Sequence, residues 1–400
     1  MIRVANSRKL YKNFWNSFSN RCDNTTMMLN NHADQMEESD RLDIIDSLPD
    51  LRNKDIVDIG AGIGRFTTVF AERASHVIST DFIENFIDEN KHRNAHFHNI
   101  SYEVGDALHL NLMSESADLV FTNWLMMYLT DNEVVEFLTN VLKWLRPNGY
   151  LHLRESCSES STRRSSNSLH STVEVNPTSY RFSSVYIKIL RNIQYKDHNG
   201  ELYCFDVQWS CSVPTYIECQ DNWRQIHWLL KKIPAQETNG YSIDSLLMQF
   251  NNLWVQEQKF WDAVLDSEPY CWTDQIVEYV LEKEKIGSNS SIFVYNSRRT
   301  AHHFYFNANY LSKEFKCNVW DVETNEYFYR TCLTRANKLK DHRVRIAWHS
   351  GLDSAIEYLE DKNVSFDIFL ACDLSFEDKL LLEQLKVKRW ILLLNLNKIK

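Results

Sequence analysis

The sequence predicts an α/β protein with an open, doubly wound and mostly parallel β-sheet, followed by a second, degenerate copy of that sheet. Two observations lead to this prediction. Short apolar runs alternate with helical patterns between residues 54 and 153, which is typical of parallel βαβ units. A second series of apolar runs with similar spacing begins near residue 291 and indicates a second sheet.

Seven apolar runs in the first half predict strands, and two helical patterns lie among them. The runs "DIVDIG", "HVISTDF", "ISYEVGDA", "ADLVFTNW" and "PNGYLHLRES" begin at residues 55, 76, 100, 117 and 147. The segments "GRFTTVFAERA" and "DNEVVEFLTNVLKWLR" space their apolar residues as helices do. Two further predicted strands, "YCFDVQWSCSVPTYI" and "WRQIHWLLKKI", complete the first domain at residue 233.

The chain length predicts two domains. We expect a catalytic domain over residues 1–233, a linker over 234–250, and a degenerate, apparently truncated domain over 251–400. The Ser-rich segment 156–172 predicts a loop. The strands predicted for the last domain are "SIFVYNSR", "CNVWDVE", "VRIAWHS", "FDIFLACD" and "RWILLLNL". Its first turn, "NSRR", has no glycine, so an anionic ligand could not approach that backbone closely. We expect this domain to be structural or regulatory.

Composition excludes several classes of function. The formal net charge of -10 argues against a nucleic-acid partner. Nine cysteines occur without a CxxC pair, which favours reduced thiols in a cytoplasmic protein over a zinc or redox site. No run of about 18 apolar residues occurs, so we expect no membrane span. The first residues, "MIRVANSRKLYKNFW", lack an apolar run followed by small residues, so we expect no secretory signal. We expect no metal, and we favour a monomer.

A glycine-rich turn follows the first predicted strand. Gly60, Gly62 and Gly64 alternate with other residues, and such a turn lets the backbone and a helix N-terminus face an anionic group. The dinucleotide-binding pattern is G-x-G-x-x-G. Here the third glycine comes one residue early, and Arg65 stands in its place. The turn alone therefore leaves a nicotinamide cofactor and S-adenosylmethionine both open.

The ends of the next strands favour S-adenosyl-L-methionine. Asp81 ends the second strand, where an acid can accept both ribose hydroxyls. Asp106 ends the third, where it can accept from the adenine amino group while the Ala107 N–H donates to the ring. Asn123 ends the fourth, beside the amino-acid end of the cofactor. A strand-end cap is the alternative for each aspartate. The predicted cofactor-binding residues are Asp58, Gly60, Gly62, Asp81, Phe82, Asp106, Ala107 and Asn123.

Longer segments resemble the phosphoethanolamine N-methyltransferases, most closely the nematode type with an N-terminal active domain. They are "KNFW", "TTMMLN", "VDIGAGIGRFTTV", "FTNWLMMYLTDNEV", "LRESCSE" and "NPTSYRFSSVY", within residues 12–232. The resemblance implies a Rossmann-like methyltransferase fold and a vestigial C-terminal domain. It also implies methyl transfer from S-adenosylmethionine to phosphoethanolamine, giving phospho-monomethylethanolamine on the way to phosphocholine and phosphatidylcholine. The alternatives are a methyltransferase that acts on another small amine or on all phosphobases, and a non-catalytic regulatory partner that binds the cofactor.

The resemblance also implies residues for the substrate. Related enzymes use a Tyr/His pair, whose positions match Phe14 and Tyr128 here. Phe14 cannot donate a hydrogen bond, so Tyr128 is the candidate for orienting the amine, with a role in the core as the alternative. Trp124 either bounds the amine pocket or serves ordinary packing.

The substrate phosphate needs a cationic group, and arginine suits it. The segment "NPTSYR" places Tyr180 and Arg181 where the family binds phosphate, with Tyr186 as a weaker candidate. A surface arginine is the alternative for Arg181. Arg154 precedes Glu155, so either an ion pair between them or a ligand role is open. Arg163 and Arg164 fall in the Ser-rich segment and form either solvated charge or a closing lid.

Overall fold

The computed structural model describes two compact units. Its described residues are 2–157, 176–235, 281–282, 285–296, 308–362, 364–372 and 390–393, with the single residues 374, 378 and 381. Unit 1 takes Met1–Val207, Val213–Cys219 and Arg224–Phe250, and unit 2 takes Gln208–Ser212, Gln220–Trp223 and Asn251–Lys400. Nearly all of the predicted linker 234–250, and the predicted loop from residue 158 onwards, lie outside the described residues.

Unit 1 contains the predicted, mostly parallel sheet. Its strands are β1 Asp55–Ile59, β2 His76–Asp81, β3 Ile100–Val104, β4 Ala117–Asn123, β5 Leu145–Ser156, β6 Gln194–Lys196, β7 Leu202–Ser212 and β8 Gln225–Pro234. They lie in the order β3-β2-β1-β4-β5-β8-β7, with β6 beside β7. The first five strands are parallel to their neighbours, whereas β5 with β8 and β6 with β7 are antiparallel. The predicted fold class is therefore confirmed.

Eight helices accompany this sheet in the described part of unit 1. They are α1 Ile2–Asn16, α2 Asn24–Met28, α3 Ala33–Ile45, α4 Thr67–Ala71, α5 Glu84–Arg93, α6 Asp131–Trp144, α7 Ser183–Asn192 and α8 Pro214–Gln220. A capping box begins α6, because Thr130 and Glu133 satisfy each other's backbone N–H groups. A single 3₁₀ turn, Met126–Tyr128, precedes it, whereas the sequence places Tyr128 at the start of a helix.

The predicted end of one strand, β7, is wrong. The apolar run "SCSVPTYI" suggests a strand that continues past residue 214, but β7 ends at Ser212 and α8 begins at Pro214. Proline is common at the first position of a helix, because its ring fixes φ near the helical value. An N–H at this position would have no acceptor within the helix, so its absence in proline costs nothing. Thr215 N–H also donates to Asp43 Oδ2 at 2.7 Å, which ties the start of α8 to α3.

Unit 2 confirms the five predicted strands of the second half. They are β9 Ser291–Asn296, β10 Asn318–Glu323, β11 Val344–Trp348, β12 Ile368–Cys372 and β13 Trp390–Leu393. Their order is β13-β12-β9-β10-β11, and all neighbours are parallel. The helices are α9 Ala308–Phe315, α10 Glu326–Leu339 and α11 Leu352–Asp361. Among the described residues of both units, no helix has the length and apolar character needed to cross a membrane.

Candidate active site

A cavity opens at the carboxyl ends of β1, β2 and β4, where doubly wound sheets bind their ligands. It encloses about 1000 Å³, open solvent at its mouth included. All eight predicted cofactor-binding residues line it, and so do Trp124 and Tyr128. Tyr180, Arg181 and Tyr186 do not line it. Residues outside the set of predicted site residues also face this space: Arg8, Tyr11, Trp15, Met27, Arg65, Phe86 and Leu125.

The glycine turn forms the cavity floor in a left-handed backbone. Gly60, Gly62 and Gly64 have φ of +73°, +55° and +83°, values that side chains other than glycine rarely adopt. The N–H groups of Gly60 and Ala61 both donate to Thr80 O at 2.9 Å, and Gly62 N–H donates to Asp81 Oδ2 at 3.0 Å. The glycines therefore allow close approach to the backbone, while these donors hold the turn to β2.

Two buried carboxyl groups lie beside the turn. Asp81 accepts from the N–H groups of Gly62 and Ile83, yet burial raises its pKa to about 6. Asp58 accepts from Thr67 Oγ1 at 2.6 Å, and burial, with a smaller contribution from Asp81, raises its pKa to about 7. Both groups therefore gain from a ligand that donates hydrogen bonds or carries positive charge, as ribose hydroxyls and a sulfonium or ammonium do.

Arg8 closes the opposite end of the cavity. Its guanidinium lies 3.1 Å from Asp106 Oδ1 and 2.9 Å from Glu133 Oε1, which links α1 to the end of β3 and to α6. Asp106 Oδ1 also accepts from Leu108 N–H at 3.0 Å. The carboxylate predicted to contact adenine is thus already held in place. No sequence signal singles out Arg8, because α1 reaches the cavity only through tertiary packing, which the local sequence pattern does not show.

Aromatic side chains from α1 form the wall nearest Tyr128. The Tyr128 ring centroid lies 6.0 Å from Tyr11 and 5.6 Å from Trp15, both edge to face, and 6.5 Å from Phe14, stacked. Phe14 is buried behind this wall and does not line the cavity. Burial raises the pKa of Tyr128 well above its usual value, so its hydroxyl is neutral and acts as a hydrogen-bonding group.

Trp124 sits on the wall between the ends of β4 and β5. Its φ of +58° is left-handed, an uncommon conformation for a bulky residue. Two contacts hold the indole. Nε1–H donates to Gln225 Oε1 at 2.7 Å, and the Arg154 guanidinium lies 4.0 Å from the ring centroid. Trp124 therefore packs against its neighbours and also lines the cavity; its role in bounding the amine pocket stays a prediction.

The ion pair considered between Arg154 and Glu155 does not form. Arg154 Nη2 lies 2.8 Å from Asp40 Oδ1 instead. Glu155 points to the other face of its strand and accepts from Met126 N–H at 2.7 Å and Met127 N–H at 3.1 Å. Burial raises the pKa of Glu155 to about 7. Neighbouring residues on a strand face opposite sides, which is why the adjacent charges have different partners.

The Arg181 side chain makes its hydrogen bonds to other groups of the protein and does not line the cavity. Its Nε and Nη2 donate to Asp131 Oδ1 at 2.9 and 2.8 Å, and Nη2 also donates to Leu129 O at 2.7 Å. Its Nη1 donates to Met126 O at 2.9 Å and to Tyr186 Oη at 3.5 Å. The side chain is 2% exposed. These bonds use all five N–H groups, so a phosphate on Arg181 would have to displace a partner; that role stays a prediction.

The other phosphate candidates have separate positions. Tyr186 is buried against Trp228, 5.3 Å away between ring centroids. Tyr180 is partly buried and packs against the Tyr11, Phe14, Met127 and Tyr128 cluster, next to the cavity wall. Arg163 and Arg164 lie outside the described residues.

Comparison with known proteins gives a consistent assignment. A family model described as "Methyltransferase domain" matches residues 56–149. Phosphoethanolamine N-methyltransferase 1 of Caenorhabditis elegans is 51% identical over 375 residues, which cover 93% of this chain and 78% of that protein.

Two solved structures from Haemonchus contortus add detail. Phosphoethanolamine N-methyltransferase 1, in complex with phosphoethanolamine and S-adenosylhomocysteine, matches with a TM-score of 0.88 and 53% identity over 92% of this chain and 81% of that one. Phosphoethanolamine N-methyltransferase 2, in complex with phosphomonomethylethanolamine, matches with a TM-score of 0.51 and 16% identity over 83% of this chain and 67% of that one, which shows the fold alone. The Caenorhabditis elegans protein and the first Haemonchus contortus structure match most of this chain at more than 50% identity. The chain therefore belongs to the phosphoethanolamine N-methyltransferase family.

Proposed function

We propose that this protein transfers a methyl group from S-adenosyl-L-methionine to the nitrogen of phosphoethanolamine, and that the product is phospho-monomethylethanolamine. One observation carries the proposal. The chain is 53% identical, over 92% of its length, to an enzyme whose structure holds phosphoethanolamine and S-adenosylhomocysteine. The product would feed phosphocholine and then phosphatidylcholine synthesis. The first methylation is proposed because the structure of that similar enzyme holds phosphoethanolamine, the phosphobase that carries no methyl group.

We infer that the cofactor would lie along the cavity, in contact with the predicted residues. Asp81 would accept the ribose hydroxyls, and Asp106 with Ala107 N–H would hold adenine. The methionine tail would lie over the glycine turn, near Asn123. The lining of these positions by the predicted residues supports the arrangement, and the raised pKa of Asp81 supports a ligand that donates to its carboxylate.

The amine has to arrive with a free lone pair in line with the sulfonium methyl. A primary ammonium titrates near the lysine reference of about 10.4, so most of the substrate arrives protonated at neutral pH. The aromatic wall of Tyr11, Trp15 and Tyr128 excludes water from this end of the cavity and thereby disfavours the charged amine. Tyr128 would accept or donate one hydrogen bond to orient the nitrogen. Alignment of the two reacting atoms would supply most of the rate.

Methyl transfer from labelled S-adenosylmethionine tests the proposal. Ethanolamine, phosphoethanolamine and its mono- and dimethyl forms are offered separately. We expect turnover of phosphoethanolamine alone. Turnover of all phosphobases would overturn the first-step assignment, and turnover of ethanolamine would overturn the need for phosphate. Bound cofactor without any turnover would favour the regulatory alternative.

A conservative variant tests the role of Tyr128. Tyr128→Phe keeps the ring contacts with Tyr11 and Trp15 and removes only the hydroxyl, so we expect kcat to fall about tenfold with little change in cofactor affinity. Tyr150→Phe is the matched control, because Tyr150 lies on β5 and does not line the cavity. Equal kcat for the wild type and Tyr128→Phe would assign Tyr128 to packing.

We propose further that the protein is a cytoplasmic monomer. The seven cysteines whose side chains the structure describes are all free thiols, which suits a reducing compartment. Light scattering on the purified chain tests the oligomeric state, and a mass of twice 47.4 kDa would contradict the monomer.

A further inference from the structure

We infer that Asp40, which does not touch the cavity, is a positioning residue for methyl transfer: it fixes two arginines, one that lines the cavity and one that packs against its lining. The inference rests on the proposed function. Asp40 lies on α3, is fully buried, and is absent from the cavity lining. Any effect it has on the reaction therefore passes through Arg65 and Arg154.

The Asp40 carboxylate bridges the two guanidinium groups. Arg65 Nη2 donates to Oδ2 at 2.9 Å, and Arg154 Nη1 donates to the same oxygen at 3.1 Å. Arg154 Nη2 lies 2.8 Å from Oδ1. The pKa of Asp40 is lowered although burial alone would raise it, because the two arginines outweigh the burial. The carboxylate is thus ionised and links β5 to the segment that follows β1.

Arg154 contacts residues of the cavity wall. Its guanidinium lies 4.0 Å from the Trp124 ring centroid and 4.8 Å from that of Tyr216, so the two rings flank it. Arg154 Nη1 also reaches Asn123 Oδ1 at 3.5 Å. Both Asn123 and Trp124 line the cavity, at the end where the amine and the methionine tail are proposed to meet.

The Arg65 arm ends on the cavity floor. Arg65 follows Gly64 directly and itself lines the cavity. Its Nε also donates to Glu37 Oε1 at 3.3 Å, one turn before Asp40 on α3. Asp40 therefore fixes the glycine turn, which would carry the cofactor, relative to Trp124, which would bound the acceptor. A displacement of about 1 Å between two reacting groups can cost on the order of 100-fold in rate.

Asp40→Asn tests the inference, because the amide keeps the shape and removes the charge that binds both arginines. We expect kcat for phosphoethanolamine to fall by about tenfold or more, and the Kd for S-adenosylmethionine to change by less than about threefold, since the direct cofactor contacts remain. Asp118→Asn is the control: Asp118 pairs with Arg146 at 2.8 Å at the opposite end of β4, and we expect its kcat to stay within about twofold of the wild type.

A double-mutant cycle separates positioning from general stability. On a Trp124→Ala background the Asp40→Asn change should cost less in kcat than in the wild type, because the contact that Asp40 positions through Arg154 is already gone and only its contact with Arg65 remains. A full tenfold loss on that background would overturn the inference, as would an unchanged kcat in Asp40→Asn itself.

A second variant covers the case in which Asp40→Asn does not fold. Arg154→Lys keeps the ion pair with Asp40 and removes the planar group that stacks on Trp124, so kcat should again fall while folding is kept. Wild-type kcat in Arg154→Lys would overturn the inference. The wild-type chain is assayed in parallel: absence of turnover there contradicts the proposed function, whereas wild-type turnover with unaffected variants contradicts only the role of Asp40.

Discussion

Replacing Gly64 by alanine should destabilise unit 1 far more than the same change at another glycine of similar backbone conformation. Gly64 has a φ of +83°, and a Cβ there would lie 2.2 Å from Asn90 Oδ1 and 2.9 Å from Asn94 Nδ2. Gly200, in the turn between β6 and β7, has a φ of +89°, but its Cβ would meet only Lys196 Cε at 3.7 Å. The pair separates backbone strain from packing.

The magnitude follows from the hydrogen bonds that Asn90 would lose. A left-handed alanine costs about 1–2 kcal/mol at either site. At Gly64 the Asn90 side chain would also have to leave its place, where it donates to Ser79 Oγ at 2.9 Å and accepts from Asn94 Nδ2 at 2.8 Å. Each lost buried bond costs about 1 kcal/mol or more. We expect about 3–4 kcal/mol for Gly64→Ala and about 1–2 kcal/mol for Gly200→Ala.

Thermal unfolding of the two variants and the wild type checks this expectation. For a unit of this size, about 1 kcal/mol shifts Tm by roughly 2–4 °C. Gly64→Ala should therefore melt several degrees below Gly200→Ala. Equal Tm values would refute the reasoning, because they would mean that Asn90 can move away from a new methyl group without cost.

Three further predictions concern charge. Arg181→Ala should destabilise unit 1 by about 2 kcal/mol, since it removes the side-chain donor of Leu129 O, one of the two donors of Met126 O, and the partner of the part-exposed Asp131; an unchanged Tm with a raised KM for phosphoethanolamine would instead identify a phosphate ligand. Cofactor affinity should weaken by up to about tenfold per pH unit below pH 6, where Asp81 takes up a proton; titration calorimetry showing a flat profile would contradict this. His152 is buried 3.3 Å from His227, and burial, then His227, lowers its pKa far below 6.5. Because only the unfolded chain then binds the proton, stability should fall by up to about 1.4 kcal/mol per pH unit as pH drops below 6.5, and His152→Phe should flatten this slope in denaturant titrations.

The sequence predicts the sheets well for a physical reason. Parallel strands covered on both faces are continuous apolar runs, so β1, β2, β4 and the five strands of unit 2 stand out from their surroundings. The strand-end acids Asp81 and Asp106 are predictable in the same way, since the carboxyl ends of parallel strands meet at one edge. The predicted end of β7 is wrong because the apolar segment "VPTYI" suits a buried strand as well as a buried helix. Pro214 does not decide between them, since proline is compatible with a strand end and with a helix start.

The residues that sequence reasoning missed depend on tertiary packing. Arg8, Tyr11 and Trp15 reach the cavity only because α1 packs beside Asp106 and Tyr128, and nothing in their spacing shows this. Asp40 is one of several acids in "ADQMEESDRLDII", and only the fold brings it between two arginines. The position of Arg181 depends on the carbonyl groups of the 3₁₀ turn, which are not a property of its own segment.

The aromatic wall has a consequence for chemical selectivity. The matched methyltransferase domain begins at residue 56, so the glycine floor and the strand-end acids belong to the part shared with many methyltransferases, whereas Arg8, Tyr11 and Trp15 do not. An inhibitor that only mimics the nucleoside would contact the shared part. An inhibitor that extends from the position of the cofactor sulfur onto the aromatic rings of α1 would also contact side chains outside the shared domain. Such an inhibitor should bind this protein more tightly than it binds unrelated methyltransferases.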